Sequence, residues 1–399
     1  MLWKGNENYC CHVYLTMEFP IQPRLASPPM ADGEVVVQAP PDVHSEAPSN
    51  PLSRLLPVAM VVASIGMMAL YFTSGASAMR SPMFMFFPVM MIISLLGTVA
   101  AGSRSGSRIA EINHGRRDYL NYLASLDAKI LKTTDEQRVS MSWRHPDPNS
   151  LWQIIGGVRM WERRPDDADF ADVRIGLGTR CLSTPLVAPD LEPLEHRDPV
   201  TSMELQRLIH HRSKVADLPV SVPLKEFTAI SIGGDTVVAR GLLRAMICQL
   251  AVMHSPHELR IAAVVDPLTA GNWDWLKWLP HHQHPYAVDG LGAARLTYCD
   301  LSTAQTALAD CRAAHAVLLV DGGLITGAEQ LLAESAELTV LALGMDCDDI
   351  AGLRLVVSGH AVVERSAAGD EVPARPDTMT VGQAVTCARR MSPFRPAAT

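Results

Sequence analysis

Two glycines behind an apolar run are the first residues that could do chemistry. Ile230-Ser231-Ile232-Gly233-Gly234-Asp235 reads as a strand turning into a helix. Backbone N–H groups in such a turn can wrap phosphates. A working phosphate loop also needs a lysine for the β- and γ-phosphates and a Ser or Thr hydroxyl for magnesium. No Gly-Lys-Ser or Gly-Lys-Thr occurs in the 399 residues. Arg240 is the only cation near the turn, and a planar guanidinium does not replace that lysine. The competing reading is that Gly233 and Gly234 simply turn the chain. Asp321 closes a second apolar run, Ala316 to Val320, where nucleotide hydrolases hold magnesium. Asp266 is placed similarly. Glycines follow Asp321 where a second carboxylate would act as base, and an Asp there is also an ordinary turn residue. Gly233, Gly234 and Asp321 are therefore the candidate cofactor-binding residues of a vestigial nucleotide site. ATP and magnesium are expected as cofactors only if that site still binds. No catalytic residue is assigned.

Two further clusters stand out. His281-His282-Gln283-His284 offers imidazoles but no nearby cysteine and no helical i, i+4 pair. Flanked by Pro280 and Pro285, it reads as a surface loop, and no metal site is expected. Trp273, Trp275 and Trp278 crowd one short stretch, as core anchors or as a partner surface; they are the partner-binding candidates. No Gly-x-Ser-x-Gly and no His-Glu-x-x-His is present, so hydrolase and zinc-protease readings have no support.

The elements that must hold these residues alternate. Apolar runs at Thr228 to Ile232, Arg260 to Val265, Ala316 to Val320, Leu338 to Leu343 and Leu353 to Val357 read as buried strands. Helical stretches are expected over Val238 to His254, Ser302 to Ala314 and Gly327 to Ala336. The fold class is thus α/β with a mainly parallel sheet over residues 141–399. The stretch 141–227 is less regular, with a helix over Ser202 to Lys214.

Only 19% of residues are charged, 48% are hydrophobic, and mean hydropathy is +0.11. Soluble domains carry about 25% charge, so membrane segments are expected. Leu55 to Phe72 and Met83 to Ala101 are uncharged runs long enough to span a bilayer. The short connection between them forces a hairpin. Arg54, Arg104, Arg108, Arg116 and Arg117 flank its outer ends while the loop holds only Arg80, which puts both termini in the cytoplasm. A signal peptide fails because the first run starts too far in; two buried core helices are the remaining alternative. Residues 1–53 read as a mostly disordered tail with a β-like piece at Glu34 to Gln38. Ile109, Ile112, Tyr119, Leu123, Leu126 and Ile130 form one apolar stripe over 103–140, as on a stalk helix or one folded back onto the domain. The formal charge of −8 counts against nucleic-acid binding. The eight cysteines contain no Cys-x-x-Cys and read as small buried hydrophobes in a reducing compartment.

Several pieces together resemble a known family. They are Arg116 to Leu123 (RRDYLNYL), His145-Pro146-Asp147-Pro148, Met160 to Pro165 (MWERRP), Val173 to Gly178, Leu242 to Leu250 (LLRAMICQL) and Trp273 to Pro280 (WDWLKWLP). From about Gly33 to Ser392 the chain is similar to the N-terminal part of EccC (or its split form, EccCa). That family comprises the FtsK/SpoIIIE-type motor ATPases of mycobacterial type VII (ESX) secretion. The resemblance implies two membrane spans at 54–102, a stalk at 103–140 and a degenerate P-loop-ATPase-like domain at 141–399. It implies a multi-pass inner-membrane location and an oligomer within a complex of EccB, EccD and EccE. The family continues past Met391-Ser392-Pro393 into catalytic domains, whereas Phe394 to Thr399 follows here. The expectation is therefore an anchoring and coupling module without its own hydrolysis, served by a separate ATPase subunit. The alternatives are a nucleotide-binding ATPase domain with an atypical loop, and an FtsK-like DNA translocase anchor.

Overall fold

A computed structural model describes residues 16–20, 22–42, 86–190, 197–322, 337–344, 352–359, 361–366 and 371–397, with isolated helical residues between 59 and 73. It divides into two compact units. One comprises Met1–Ala31, Thr134–Ser183 and Lys214–Thr399; the other comprises Asp32–Thr133 and Thr184–Ser213. Residues 184–213 group with the second unit and residues 134–140 with the first.

The second unit is built on the first part of a long helix, α1 (Phe86–Arg144). The expected second span and the stalk are one continuous helix from Phe86 onward. Tyr119, Leu123, Leu126 and Ile130 of the apolar stripe are buried. Strand β2 (Val35–Val36) pairs in parallel with β4 (Leu186–Val187), so described parts of the expected tail are ordered secondary structure. Helix α2 (Pro199–Arg212) is capped by Asp198, which accepts from Thr201 N–H. The same carboxylate takes Arg116 at 2.5 Å, and Arg212 pairs with Asp127 at 2.6 Å. The first expected span lies largely outside the described residues. At the start of α1, Met90 and Ile93 expose 58% and 59% of their surface.

The first unit holds a ten-stranded sheet in the order β10-β7-β11-β12-β6-β13-β14-β15-β3-β5. Six strands form a parallel half: β10 (Thr297–Tyr298), β7 (Leu259–Val265), β11 (His315–Asp321), β12 (Leu338–Leu343), β6 (Ala229–Gly234) and β13 (Leu353–Val357). Their near-continuous apolar character reflects a sheet covered on both faces. Helix α3 (Thr236–Met253) follows β6 and is buried at every residue from Gly241 to Met253. Among the described residues it is the one helix long and apolar enough to cross a membrane, and it lies in the hydrophobic core. Helix α4 (Leu301–Ala309) packs against β7 and β10.

The antiparallel half was not expected. It comprises β14 (Val362–Ser366), β15 (Glu371–Pro376), β3 (Asp172–Cys181) and β5 (Lys214–Pro223). Helix α5 (Val381–Met391) returns over α3. At the edge, β1 (Met17–Phe19) runs parallel to β16 (Phe394–Pro396). Phe19 meets Trp161 and Phe394 edge-on at 5.7 and 5.8 Å, and Arg24 pairs with Asp167 and Asp169 at 2.9 and 2.6 Å. A hairpin, β8 (Gln283–Asp289) and β9 (Gly292–Arg295), completes the unit. The expected helix over Gly327 to Ala336 lies outside the described residues.

Candidate functional site

The β6–α3 turn sits at the carboxyl edge of the parallel strands, where open α/β sheets bind ligands. Its two glycines do different things. Gly234 has φ +99°, and a Cβ there would lie 2.0 Å from the Val357 carbonyl oxygen. That glycine is needed for close approach of β13. Gly233 faces nothing within 4 Å. The next residue, Asp235, caps α3 by accepting from Val237 and Val238 N–H at 2.9 and 3.2 Å. A phosphate would bind those same donors, so the helix start already holds an anion.

Asp321, at the end of β11, is equally engaged. Arg240 from the second turn of α3 grips it bidentately, with Nε to Oδ2 at 2.8 Å and Nη2 to Oδ1 at 3.0 Å. The Trp273 indole N–H donates to Oδ2 at 2.7 Å. The hydrogen bond to Asp321 holds the Arg240 pKa above its ordinary value. The cation of the turn and the acid of the strand, read separately in sequence, are therefore one ion pair. The Asp321 carboxylate is committed to the Arg240 guanidinium, and the first helix N–H groups of α3 to the Asp235 carboxylate.

The tryptophans divide. Trp273 and Trp275 are 3% and 2% exposed, the core-anchor alternative of the two that the sequence leaves open. Trp278 is partly exposed and stacks against Arg389 at 5.1 Å. The histidine tract is also corrected. His281 and His282 are fully buried. His281 Nε2 lies 2.8 Å from the His254 carbonyl, and His282 lies 2.9 Å from the Ile261 carbonyl and 2.6 Å from Thr297 Oγ1. Burial drives their pKa values down from 6.5 to about 3 and about 4. No cluster of potential metal ligands occurs among the described residues. Of the cysteines, Cys248, Cys311 and Cys387 are buried as expected, while Cys181 and Cys299 are exposed.

A second site surrounds the end of α1. The last four carbonyls of a helix lack internal partners. The carbonyls of the last two helix residues, Trp143 and Arg144, accept from Arg159 Nη2 and Arg163 Nη2 at 2.8 and 2.5 Å, and those of the two residues that follow the helix, His145 and Pro146, accept from Arg174 Nη1 and Gln249 Nε2 at 3.2 and 3.3 Å. Each arginine carries an acid: Glu162 at 2.6 Å, Asp169 at 3.4 Å and Asp377 at 2.7 Å. Burial raises the Asp377 pKa, partly offset by Arg174. Burial first, and the neighbouring Arg163 second, lowers His145 to about 3. The stretch Met160 to Pro165 also closes the far end of α3. Trp161 N–H and Arg163 N–H donate to the Val252 and Met253 carbonyls at 2.9 and 3.0 Å, and the Trp161 indole donates to the Ala251 carbonyl at 3.1 Å. In the sequence these residues stand out only through the family resemblance; the run of arginines with interleaved acids is the one local signal of their role.

Comparison with known proteins decides the family. The chain is 42% identical over 375 residues to the ESX-4 secretion system protein EccC4 of Mycobacterium tuberculosis, a match covering 93% of this chain. The chain belongs to the EccC family. The ESX secretion system protein EccC of Thermomonospora curvata is 31% identical over 398 residues, 94% of this chain. The ESX-1 secretion system protein EccCa1 of Mycobacterium tuberculosis is 32% identical over 386 residues, 92% of this chain. The chain spans 29%, 30% and 50% of the lengths of these three EccC proteins. No family model matches. Among solved structures, the cytoplasmic domain of the Thermomonospora curvata type VII secretion ATPase EccC aligns over 64% of this chain and 34% of its own, at 13% identity and TM-score 0.32. At that score the fold assignment rests on the strand order above. EccC membership thus comes from sequence, and of the motifs that carry it His145 to Pro148 and Met160 to Pro165 lie at the two helix ends.

Proposed function

We propose that this chain is the membrane-anchoring and coupling module of a type VII (ESX) secretion motor, joining an inner-membrane channel to ATPase domains. Its carboxyl-edge site is a closed relic that holds no nucleotide. The observation that carries this reading is the Arg240–Asp321–Trp273 cluster beneath a helix start already capped by Asp235. To bind the Val237 and Val238 N–H groups a triphosphate would have to displace the Asp235 carboxylate, and to meet the Arg240 guanidinium it would have to break the bidentate pair with Asp321. Anchoring rests on the two uncharged runs at 55–72 and 83–101 and on the exposed apolar side chains of Met90 and Ile93. Coupling rests on the capped end of α1, which fastens the helix to the sheet-bearing unit. The partners that the family resemblance implies are EccB, EccD and EccE, with a separate ATPase subunit supplying hydrolysis.

Two measurements test this. Titration calorimetry of the detergent-solubilised chain with magnesium-ATP should give no heat of binding. Micromolar binding abolished by Asp321→Ala would establish the alternative, a nucleotide-binding domain with an atypical loop. Co-purification from membranes with EccB, EccD and EccE tests the anchoring role; a chain found only in the soluble fraction would overturn it.

A further inference from the structure

Beside α5 lies an open groove of about 510 Å³, formed with the short 3₁₀ helix Pro148–Gln153. Its floor is apolar: Leu151, Met379 and Cys387 are 1%, 5% and 4% exposed. Trp152 stands on the rim with 51% of its surface exposed, and Arg390 lies 5.2 Å from its ring. One residue earlier, Arg389 sits 5.1 Å from Trp278. Among the described residues neither arginine forms an ion pair, in a chain whose net charge is −8. A guanidinium over an exposed indole ring at the rim of an apolar floor, with a second such pair one residue earlier on α5, is an uncommon surface. Exposed tryptophan and arginine are the side chains most enriched in binding hot spots, and stacking leaves each guanidinium edge free to bond a carboxylate.

From this we propose that the groove docks an amphipathic helical segment of a partner protein, apolar side chains on the floor and acidic side chains against Arg390 on the rim. Both walls are helical and present no open strand edge, so the occupant enters as a helix rather than as an added strand. Charge complementarity selects an acidic occupant, since a basic segment would meet the uncompensated cation of Arg390 on the rim, with Arg389 next to it in the chain. The site is separate from the carboxyl-edge cluster and uses none of its residues.

The probe is a sixteen-residue acetylated, amidated peptide of Leu, Ala and Glu with leucines at helical i, i+4 spacing. Its counterpart replaces every Glu by Lys. Binding to the full chain in detergent is read from Trp fluorescence and anisotropy. The Glu peptide should bind at least about tenfold more tightly than the Lys peptide and weaken with salt. Arg390→Glu should reverse the preference, and Trp152→Ala should abolish binding of both. Both positions are exposed, and unchanged circular dichroism certifies the fold. Equal binding of the two peptides, or binding of neither, overturns the proposal. So does a concentration-dependent dimer that Trp152→Ala dissolves, which would make a second copy the occupant.

Discussion

The Nη2 atom of Arg163 donates to the carbonyl oxygen of Arg144, nineteen positions earlier in the chain. The backbone N–H of the same arginine donates to the carbonyl of Met253. One fully buried residue thus closes two helices, α1 with its side chain and α3 with its main chain.

Replacing Arg163 by Met should therefore be costly. It leaves the Arg144 and Asp172 carbonyls without their donor and removes the buried cation beside Asp169. The expected loss is about 3–5 kcal/mol, the range for breaking one side of a buried ion pair. Chemical denaturation measures it. Spin labels at Val139 and Leu268, both exposed, provide a second readout: their distance distribution should broaden in the variant. A loss below about 1 kcal/mol with an unchanged distribution would remove Arg163 from the joint.

The two glycines of the β6–α3 turn should separate cleanly. Gly234→Ala places a Cβ against the Val357 carbonyl at a positive φ and should cost at least about 2 kcal/mol. Gly233→Ala meets open space and should change stability by no more than about 0.5 kcal/mol. Equal effects in thermal unfolding would mean that the turn is not held by β13.

Asp321→Leu alone strands Arg240, whose guanidinium is partly shielded, and should destabilise by about 3 kcal/mol. The double variant Arg240→Met, Asp321→Leu should recover much of that, because hydrophobic replacement of a whole buried pair is often close to neutral. Neither variant should alter the calorimetric response to magnesium-ATP. A single variant as stable as wild type would show that the pair contributes nothing.

Acid should loosen the sheet-bearing unit before carboxylates titrate. His145, His254 and His281 are held at about 3, and His282 and His315 at about 4, against 6.5 when unfolded; burial is the first cause for each. The unfolded chain then binds protons that the folded one refuses. This stability is fully present above pH 6.5 and is lost as pH falls towards 3–4. Lowering a pKa by one weighs about 1.4 kcal/mol, so even a fraction of these displacements rivals the 5–15 kcal/mol typical of a domain. Melting temperature should drop steeply from pH 7 to pH 5. Asp172 and Asp377, raised by burial, act in the opposite sense at lower pH. A flat profile over pH 5–7 would contradict the buried histidines.

What is legible in the sequence follows from how each part is stabilised. The strands β6, β7, β11, β12 and β13 match their apolar runs within one or two residues because both faces are covered and the runs are continuously apolar. Strand β3 escapes because Arg174, Gly176 and Gly178 interrupt its pattern, and β5 because Pro219 does. No local signal announces that Met17–Phe19 pairs with Phe394–Pro396 across the whole chain. The histidine tract misleads because composition shows three polar rings, while the Ile261 carbonyl and Thr297 that satisfy His282 lie elsewhere in sequence. At the carboxyl edge the turn, Arg240 and Asp321 can all be located from the residues alone. That the last two, 81 residues apart, neutralise each other cannot.

The capped carbonyls at the end of α1 have a mechanical meaning. Those of Trp143 and Arg144, its last two residues, are turned by about 100° from each other around the helix axis, so their anchors do not line up along one side, and the His145 and Pro146 carbonyls fasten the chain just beyond. A shaft pinned on a single side swivels under load; one pinned on two sides carries torque. Any rotation of the last turns of α1 about their own axis would therefore turn the sheet with them, as a key turns a lock.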